Sequence, residues 1–279
     1  MQLTAHALAL RDAYDAQLRG HAEVGTAETT SHDAPLARAL FSSEFGFVSY
    51  TSLDGIEGIA LDALIARTIA YFRDSTEVSE FEWKTRGHDL PADLTDRLIA
   101  HGFEAQEVES VMIGEASMLA EERALPEGVT LRRIGFNADG TQLSLEEVTH
   151  DVQRMLDMQE LVFGQPHHQD AAEYATSLRD RPELVEAWVA EADGEVICTG
   201  RLELVAGTDF AGLWGGATRE DWRGRGIYRA LTAARARSAE AKGVIYLNSD
   251  STDYSRPILE RSGFLAVTTT TPYIWRRNA

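Results

Sequence analysis

The chain has 279 residues, 44% of them hydrophobic and 25% charged, with 45 acids against 26 bases for a formal charge of −19. That length suggests two domains or one large one, and the apolar share supports real cores rather than wholesale disorder. No run of about 18 apolar residues exists, the opening M-Q-L-T-A-H-A-L-A-L-R-D lacks a secretory signal's basic flank and long apolar block, and the lone Cys198 excludes an internal disulfide or a thiolate-rich metal site. A cytoplasmic protein with no membrane span and no bound metal is expected. The acidity argues against nucleic acid, which needs a basic face to displace counterions. Residues 1–125 hold 22 acids and 9 bases, and residues 126–279 hold 23 and 17. The bases are therefore concentrated in the second half, which directs the search for an anionic ligand there.

Residues 3–19 have helical spacing, with Leu3, Ala7, Leu10, Tyr14 and Leu18 on one stripe. A looser stretch follows to Pro35, then strand signal at Phe45–Tyr50 and a helix over 60–73. Around Glu80–Thr85 the alternation places Phe81 and Trp83 on one side of a strand. Asp89 fits an N-cap with Pro91 in the first turn, opening a helix that Gly102 closes. Val108–Ile113 is strand-like. E-E-R-A-L-P-E-G is the best linker and sets a boundary near Leu125, giving domains 1–125 and 126–279. Beyond it come a strand at Val129–Ile134, one or two helices over 144–162, a Q-P-H-H-Q-D loop and a short helix over 170–180. Ala187–Glu191 and Glu195–Leu204 form a hairpin around A-D-G. The remainder is a strand at Phe210–Thr218, a helix over 226–242 closed by Gly243, a strand at Val244–Asn248, a short helix over 254–262 and one or two strands over 266–275. This order is a mixed β-sheet flanked by helices, of the α/β class.

Two segments echo each other. L-I-A-H-G-F (98–103) and L-E-R-S-G-F (259–264) share L-x-x-x-G-F, each at a helix end between two strands. G-I-A (58–60) and G-I-Y (226–228) each open the preceding helix. The order helix, strand, helix, G-F, strand therefore occurs twice.

The most informative segment is W-R-G-R-G-I-Y-R-A-L (222–231), after a strand and at a helix start. Free N–H groups there, with the helix dipole, favour an anion. Gly224 and Gly226 let main chain approach phosphate oxygens, and Arg223 and Arg225 add charge in a fork suited to phosphate. This segment resembles the GCN5-related N-acetyltransferase (GNAT) superfamily, which carries R/Q-x-x-G-x-G/A between its fourth strand and third helix, where acyl-CoA pyrophosphate binds. Arg223-Gly224-Arg225-Gly226-Ile227 match, and Tyr228 replaces the final small residue. The resemblance covers residues 129–279 and implies a GNAT-like acyl-CoA fold with acetyl-CoA as acyl donor. It also implies that Ala217 and Thr218 bond the pantetheine arm, with Gly215 and Gly216 making room. The first half resembles only part of that fold. Its D-G-I-E-G-I-A (54–60) lacks the arginines and places Glu57 where phosphate would lie, so residues 1–125 are expected to be a degenerate, non-binding copy.

The implied reaction moves an acetyl group to an amine of a small molecule or peptide by direct attack. Many relatives use a Tyr four residues before G-F as acid; here that position is Leu259. Tyr254 and Tyr228 are the substitute acids, and Asp250, Asp253 and Glu203 the base candidates. Capping for Asp253 and a solvated strand face for Glu203 are the structural alternatives. His167 and His168 fall on the acceptor side in the family layout, with loop polarity as the alternative reading. Cys198 reads as a buried small hydrophobe rather than a nucleophile. A non-catalytic acyl-CoA-binding or regulatory protein is the alternative function, and a homodimer stays open.

Overall fold

The computed structural model describes residues 3–24, 27, 29–41, 45–137, 139–164, 170–253 and 255–277. Helix α1 (Ala5–Leu18) buries Ala7, Leu10, Tyr14 and Leu18, and the Thr4 hydroxyl caps it by accepting from the Ala7 N–H. The stretch expected to be loose contains β1 (Thr29–Asp33), paired antiparallel with β2 (Leu36–Leu40). Thr-Thr-Ser-His-Asp is a polar edge strand, so no apolar alternation announces it. β3 (Phe45–Ser49), α2 (Ile59–Ser75) and β4 (Glu80–Arg86) lie where the periodicity puts them. α3 (Leu94–Ala100) starts later than expected, with Asp93 at its N-cap. Asp89 is no cap: its carboxylate accepts from the Tyr50 hydroxyl (2.6 Å), the Arg86 N–H (2.7 Å) and the Arg19 guanidinium (2.7 Å). β5 (Glu104–Ala105), β6 (Glu109–Glu115) and α4 (Ala116–Leu119) complete the first half.

β7 (Val129–Arg133) follows, then a single helix α5 (Leu145–Phe163), opened by a reciprocal capping box between Ser144 and Glu147. α6 (Ala171–Asp180), β8 (Val185–Ala192) and β9 (Glu195–Leu204) come next, the hairpin turning at Asp193 and Gly194, both at positive φ. The chain ends through β10 (Phe210–Thr218), α7 (Ile227–Ala241), β11 (Tyr246–Ser251), α8 (Arg256–Glu260) and β12 (Leu265–Arg276). Among the described residues, no helix is long and apolar enough to cross a membrane.

The chain forms two compact units, Met1–Met112 with Asp250–Glu260 and Leu265–Ala279, and Ile113–Ser249 with Arg261–Phe264. This differs from the expected division near Leu125. The final strand belongs to the first unit because residues 270–276 pair antiparallel with residues 86–80 of β4.

In the first unit the strand order is β1-β2-β3-β4-β12, and β5 also pairs with β12. Phe81 and Trp83 on one face of β4 sit in a core with Leu61, Leu64, Ile65 and Phe72 of α2. Phe72 stacks on Phe81 at 4.1 Å between ring centroids. The other face of β4 carries Glu82, Lys84 and Arg86. Arg86 donates to the Glu23 carboxylate (2.6 Å) and the Tyr14 hydroxyl (2.9 Å), while Lys84 pairs with Asp250 at 2.8 Å. Burial alone would weaken Lys84 as a base, but Asp250 and Glu23 hold its ammonium above the usual range. Burial alone would likewise raise Glu23, but Arg86 and Lys84 pull its carboxyl down. Burial pushes the Glu82 carboxyl up from 4.5 to about 7, with Lys84 opposing that rise only in part.

In the second unit the order is β11-β10-β9-β8-β7. One face packs on α7 through Ile197, Cys198, Ile227 and Leu231, the other on α5 and α6 through Val189, Val196, Met155 and Ala175. β10 and β11 are parallel, and so are β3 and β4. Each parallel pair is joined by a helix, α7 and α2, so the repeat seen in the sequence is a repeated β-α-β unit.

Two stability predictions follow from the first unit. Removing the Asp89 carboxylate leaves the Tyr50 hydroxyl and a backbone donor without their acceptor and the buried Arg19 cation with Asp15 as its carboxylate partner; Asp89→Ala should cost about 2–4 kcal/mol in urea unfolding. The folded state holds the Glu82 proton where the unfolded chain has lost it, between pH 4.5 and about 7. Stability therefore falls as pH rises through that window, by on the order of 3 kcal/mol, and Glu82→Gln should remove that part of the slope. Parallel pH–stability curves for the two proteins would contradict it.

Candidate functional site

The site grows from the pairing of β10 with β11. Parallel strands need a crossover, so the chain leaving β10 must turn and start a helix at the strand's C-terminal end. Here a 3₁₀ turn over Glu220–Trp222 leads into Arg223, Gly224, Arg225 and Gly226, and α7 begins at Ile227. Gly224 and Gly226 have φ of +73° and +81°, conformations L side chains rarely take. A Cβ at either would meet nothing within 4 Å, so the loop is an open cradle. No side chain caps α7, no acid lies in its first turn, and the first bond of the helical ladder is from Ala230 N–H to Gly226 C=O. The leading N–H groups are thus presented outward with the positive end of the dipole.

Both loop arginines donate to main-chain carbonyls. Arg223 donates to the Thr218 carbonyl (3.1 Å) and Arg225 to the Asp221 carbonyl (2.9 Å). The Arg225 guanidinium also lies 4.6 Å from the centre of the Trp222 ring. Arg219, by contrast, pairs with Asp221 at 3.1 Å. Ile227 is buried and pins the helix start to the sheet.

β10 supplies the second part. Its ladder with β11 runs from Phe210–Tyr246 to Gly212–Asn248 and stops. Its ladder with β9 shifts between Trp214 and Ala217, a bulge at Gly215, which has φ of +59°, and Gly216. Ala217 pairs with Thr199 and buries its methyl among the residues under α5 and α6. Thr218 pairs with Cys198, and its hydroxyl lies 3.2 Å from the thiol. The next N–H, of Arg219, donates to Ile197 of β9 (3.0 Å), so by ladder alternation the main chain of Thr218 faces the opposite edge.

Tyr228, the departure from the family pattern, sits in the first turn of α7 with its ring against Gly216. A Cβ on Gly216 would stand 2.8 Å from the Tyr228 ring and hydroxyl. The missing side chain on the strand makes the space that the extra one on the helix fills. Behind the ring, 5.8 Å from its centre, is Arg235, fully buried and donating to the Arg201 carbonyl (2.9 Å) and the Thr232 hydroxyl (3.2 Å).

The other candidates separate. Asp250 lies in the first unit as the partner of Lys84, so it is engaged in an ion pair rather than held as a spare base. Asp253 is exposed. Glu203, on β9, is half-exposed, 3.6 Å from Arg201. Leu259 is buried at 1% exposure, leaving no polar group at the family's acid position. Cys198 is fully buried, and burial raises its thiol to about 11, so no thiolate is available. Tyr254, His167 and His168 lie outside the described residues. No cluster of three or more metal-ligating side chains occurs among the described residues.

The corresponding junction in the first unit has positive φ at Asp54, Gly55 and Gly58, but Glu57 is exposed beside it. Asp62 occupies the first turn of α2, where Arg97 holds its carboxyl below the usual range. The fold of the junction is repeated while its charge is inverted. Sequence reasoning missed Gln159, whose amide bonds the Gly215 carbonyl (2.9 Å) and the Thr199 hydroxyl (3.1 Å) and so braces the bulge from α5. It also missed Arg235. Neither belongs to a local motif; the helical phase of each was the only signal.

Residues 151–264 match the family described as acetyltransferase (GNAT) family. A GCN5-related N-acetyltransferase from Kribbella flavida superposes with a TM-score of 0.64 at 15% identity, covering 97% of this chain and 96% of its own. One from Sphaerobacter thermophilus gives 0.64 at 17% identity, covering 88% and 77%. A tandem GNAT protein from the clavulanic acid biosynthesis pathway gives 0.56 at 14% identity, covering 86% and 78%. No curated protein matches the chain. At these identities the structural likeness is one of fold, and it extends over both halves of the chain. The family match contains β10, the arginine–glycine loop and α7 together, so the likeness to the acetyltransferase (GNAT) family falls on the site itself.

Proposed function

We propose that this protein transfers an acetyl group from acetyl-CoA to an amine by direct attack. The observation that carries the reading is the junction after β10: an uncapped helix start, two glycines at positive φ and two arginines, beside a strand whose pairing with its neighbour stops. Arg223, Arg225 and the N–H groups from Gly224 to Tyr228 would hold the diphosphate, and the main chain of β10 around Gly216 and Thr218 would take the pantetheine arm. The open cradle fits such a ligand.

Acetyl-CoA supplies a thioester carbonyl. The amine nitrogen bonds to that carbon as the carbon–sulfur bond breaks; the nitrogen gives up a proton and the sulfur takes one. No enzyme nucleophile is required, in keeping with the buried thiol of Cys198. An alkylammonium of pKa about 10.4 costs roughly 4–5 kcal/mol to neutralise at pH 7, so a carboxylate or ordered water near the nitrogen matters. Glu203 is the candidate for that role on the α5/α6 side of the sheet. A second reading, an acyl-CoA-binding protein without turnover, is favoured by the buried Leu259 at the usual acid position.

Coenzyme A at 100 times its Kd should stabilise the fold by about 2.7 kcal/mol in thermal unfolding. The double variant Arg223→Glu/Arg225→Glu should lose that stabilisation and keep its unliganded melting temperature, while Glu57→Gln should keep both. Undiminished stabilisation of the double variant would remove this cofactor site. Release of thiol with any member of a broad amine panel separates the enzyme from the non-catalytic binder.

A second test concerns the slot beside β10. The backbone of Gly216 is compatible with alanine, so Gly216→Ala should destabilise by about 1–3 kcal/mol through the clash with Tyr228 alone. Most of that cost should vanish on a Tyr228→Ala background; additive effects in the double-mutant cycle would contradict the contact.

A further inference from the structure

The first unit holds a side-chain constellation that the donor site does not use. After β4 the chain makes a tight turn, closed by a 3.0 Å bond from the Asp89 N–H to the Arg86 carbonyl and braced by the Asp89 carboxylate on the Arg86 N–H. His88 sits in that turn, and its imidazole is held at both nitrogens. Nε2 lies 2.7 Å from the Asp15 carboxylate of α1, and Nδ1 lies 2.7 Å from the Thr268 hydroxyl of β12. Three elements far apart along the chain thus bring an alcohol, an imidazole and a carboxylate into line. Gly87 permits the approach of β12 to the turn. The Thr269 hydroxyl takes the space a Cβ on Gly87 would need, and the Gly87 N–H donates to the Thr269 carbonyl at 2.9 Å.

The proton positions follow from the partners. A carboxylate only accepts, so Nε2 carries hydrogen and donates to Asp15. Nδ1 of the neutral ring is then an acceptor, and the Thr268 hydroxyl donates to it. The other acceptor recorded for that hydroxyl, the Thr269 carbonyl, is farther away at 3.4 Å. Asp15 itself is kept ionised. Burial alone would raise its carboxyl, but His88 and Arg19 bring it below the usual range. Arg19 donates to Oδ1 at 3.2 Å while His88 engages Oδ2, so the carboxylate is fixed at both oxygens.

An alcohol bonded to an imidazole whose far nitrogen is oriented by a carboxylate is the arrangement that activates a nucleophile, whatever the fold that carries it. Both contacts fall within the roughly 2.6–3.2 Å that proton transfer requires. The group is also within reach of solvent: the side chains of His88 and Asp15 are 24% and 22% exposed, and Thr268 is half-buried. We propose that Thr268, His88 and Asp15 form a second active centre, which cleaves small carboxylic esters through an acyl-threonine. Thr268 Oγ1 bonds to the ester carbon and its proton passes to His88 Nδ1. The carbon–oxygen bond to the alcohol then breaks, and the alcohol takes that proton. Water, losing a proton to the same Nδ1, attacks the acyl-threonine; the acid leaves and the Thr268 oxygen regains its hydrogen. Asp15 is a positioning residue: it holds the ring in the productive tautomer and faces the imidazolium that forms. This activity is separate from acetyl transfer and does not rest on it.

The test uses 4-nitrophenyl acetate and the full chain, with no coenzyme A present. Release of 4-nitrophenolate is followed, and samples quenched in acid are mapped by peptide mass spectrometry. Acetyl should be found on Thr268. Thr268→Val and His88→Gln should each slow release at least tenfold, and Thr268→Ser should label at the same position and faster, since the methyl beside the oxygen is gone. Asp15→Asn should slow acetylation of Thr268 at least tenfold, with Asp15→Glu recovering part of the rate, a rescue that a merely structural carboxylate would not produce. Acetyl on other side chains only, or release unchanged by Thr268→Val or by His88→Gln, would overturn the centre. Should Thr268→Val fail to fold by circular dichroism, Thr268→Ser decides the matter: no acetyl on the serine would overturn it equally.

Discussion

The parallel pairing of β10 with β11 governs the second unit. An antiparallel pair could be closed by a two-residue turn, but a parallel one obliges the chain to cross over, and α7 is that crossover. Its start is then fixed at the end of β10, where unpaired N–H groups meet a strand that has left its neighbour after Gly212. The anion cradle and the open strand edge are thus two results of one topological requirement. The arginines add charge to a place the backbone has already made electropositive.

Around that junction, missing side chains on the sheet are matched by large ones from elsewhere. Gly200 on β9 faces Arg235 and Leu231, Gly212 faces Trp214, and Gly216 faces Tyr228. A Cβ at any of the three would come closer than real contacts allow. Such exchange of volume keeps packing dense while holding an aromatic ring or a guanidinium at a chosen height above the strands. Tyr228 departs from the family motif, yet it departs together with the space that receives it.

The first unit shows what becomes of the same β-α-β plan when its electrostatics change. Its helix start has Asp62 in the first turn and Glu57 beside it, so the junction repels an anion. Its charges gather instead on the polar face of β4, where Glu23, Lys84, Arg86 and Asp250 pair and Tyr14 is raised to about 12, chiefly by burial. Breaking one member of such a buried set costs more than the set contributes, because a bare charge is left behind.

Much of this was legible in the sequence. Helical and strand periods gave α1, α2, β4, α5, β9, β10 and α7 to within a few residues, since burial on one face imposes them locally. The arginine–glycine loop was legible because strand, glycines, charges and helix are contiguous. The polar edge strand β1 was not, having no apolar alternation to betray it. Asp89 satisfied every local rule for a helix cap, yet its carboxylate is claimed by Tyr50 and Arg19, residues far away along the chain. The placement of β12 beside β4 and the capture of Asp250 by Lys84 likewise depend on strand register. Periodicity tells which side a residue faces; only register, set by the whole sheet closing around its cores, decides which residues from distant segments meet there.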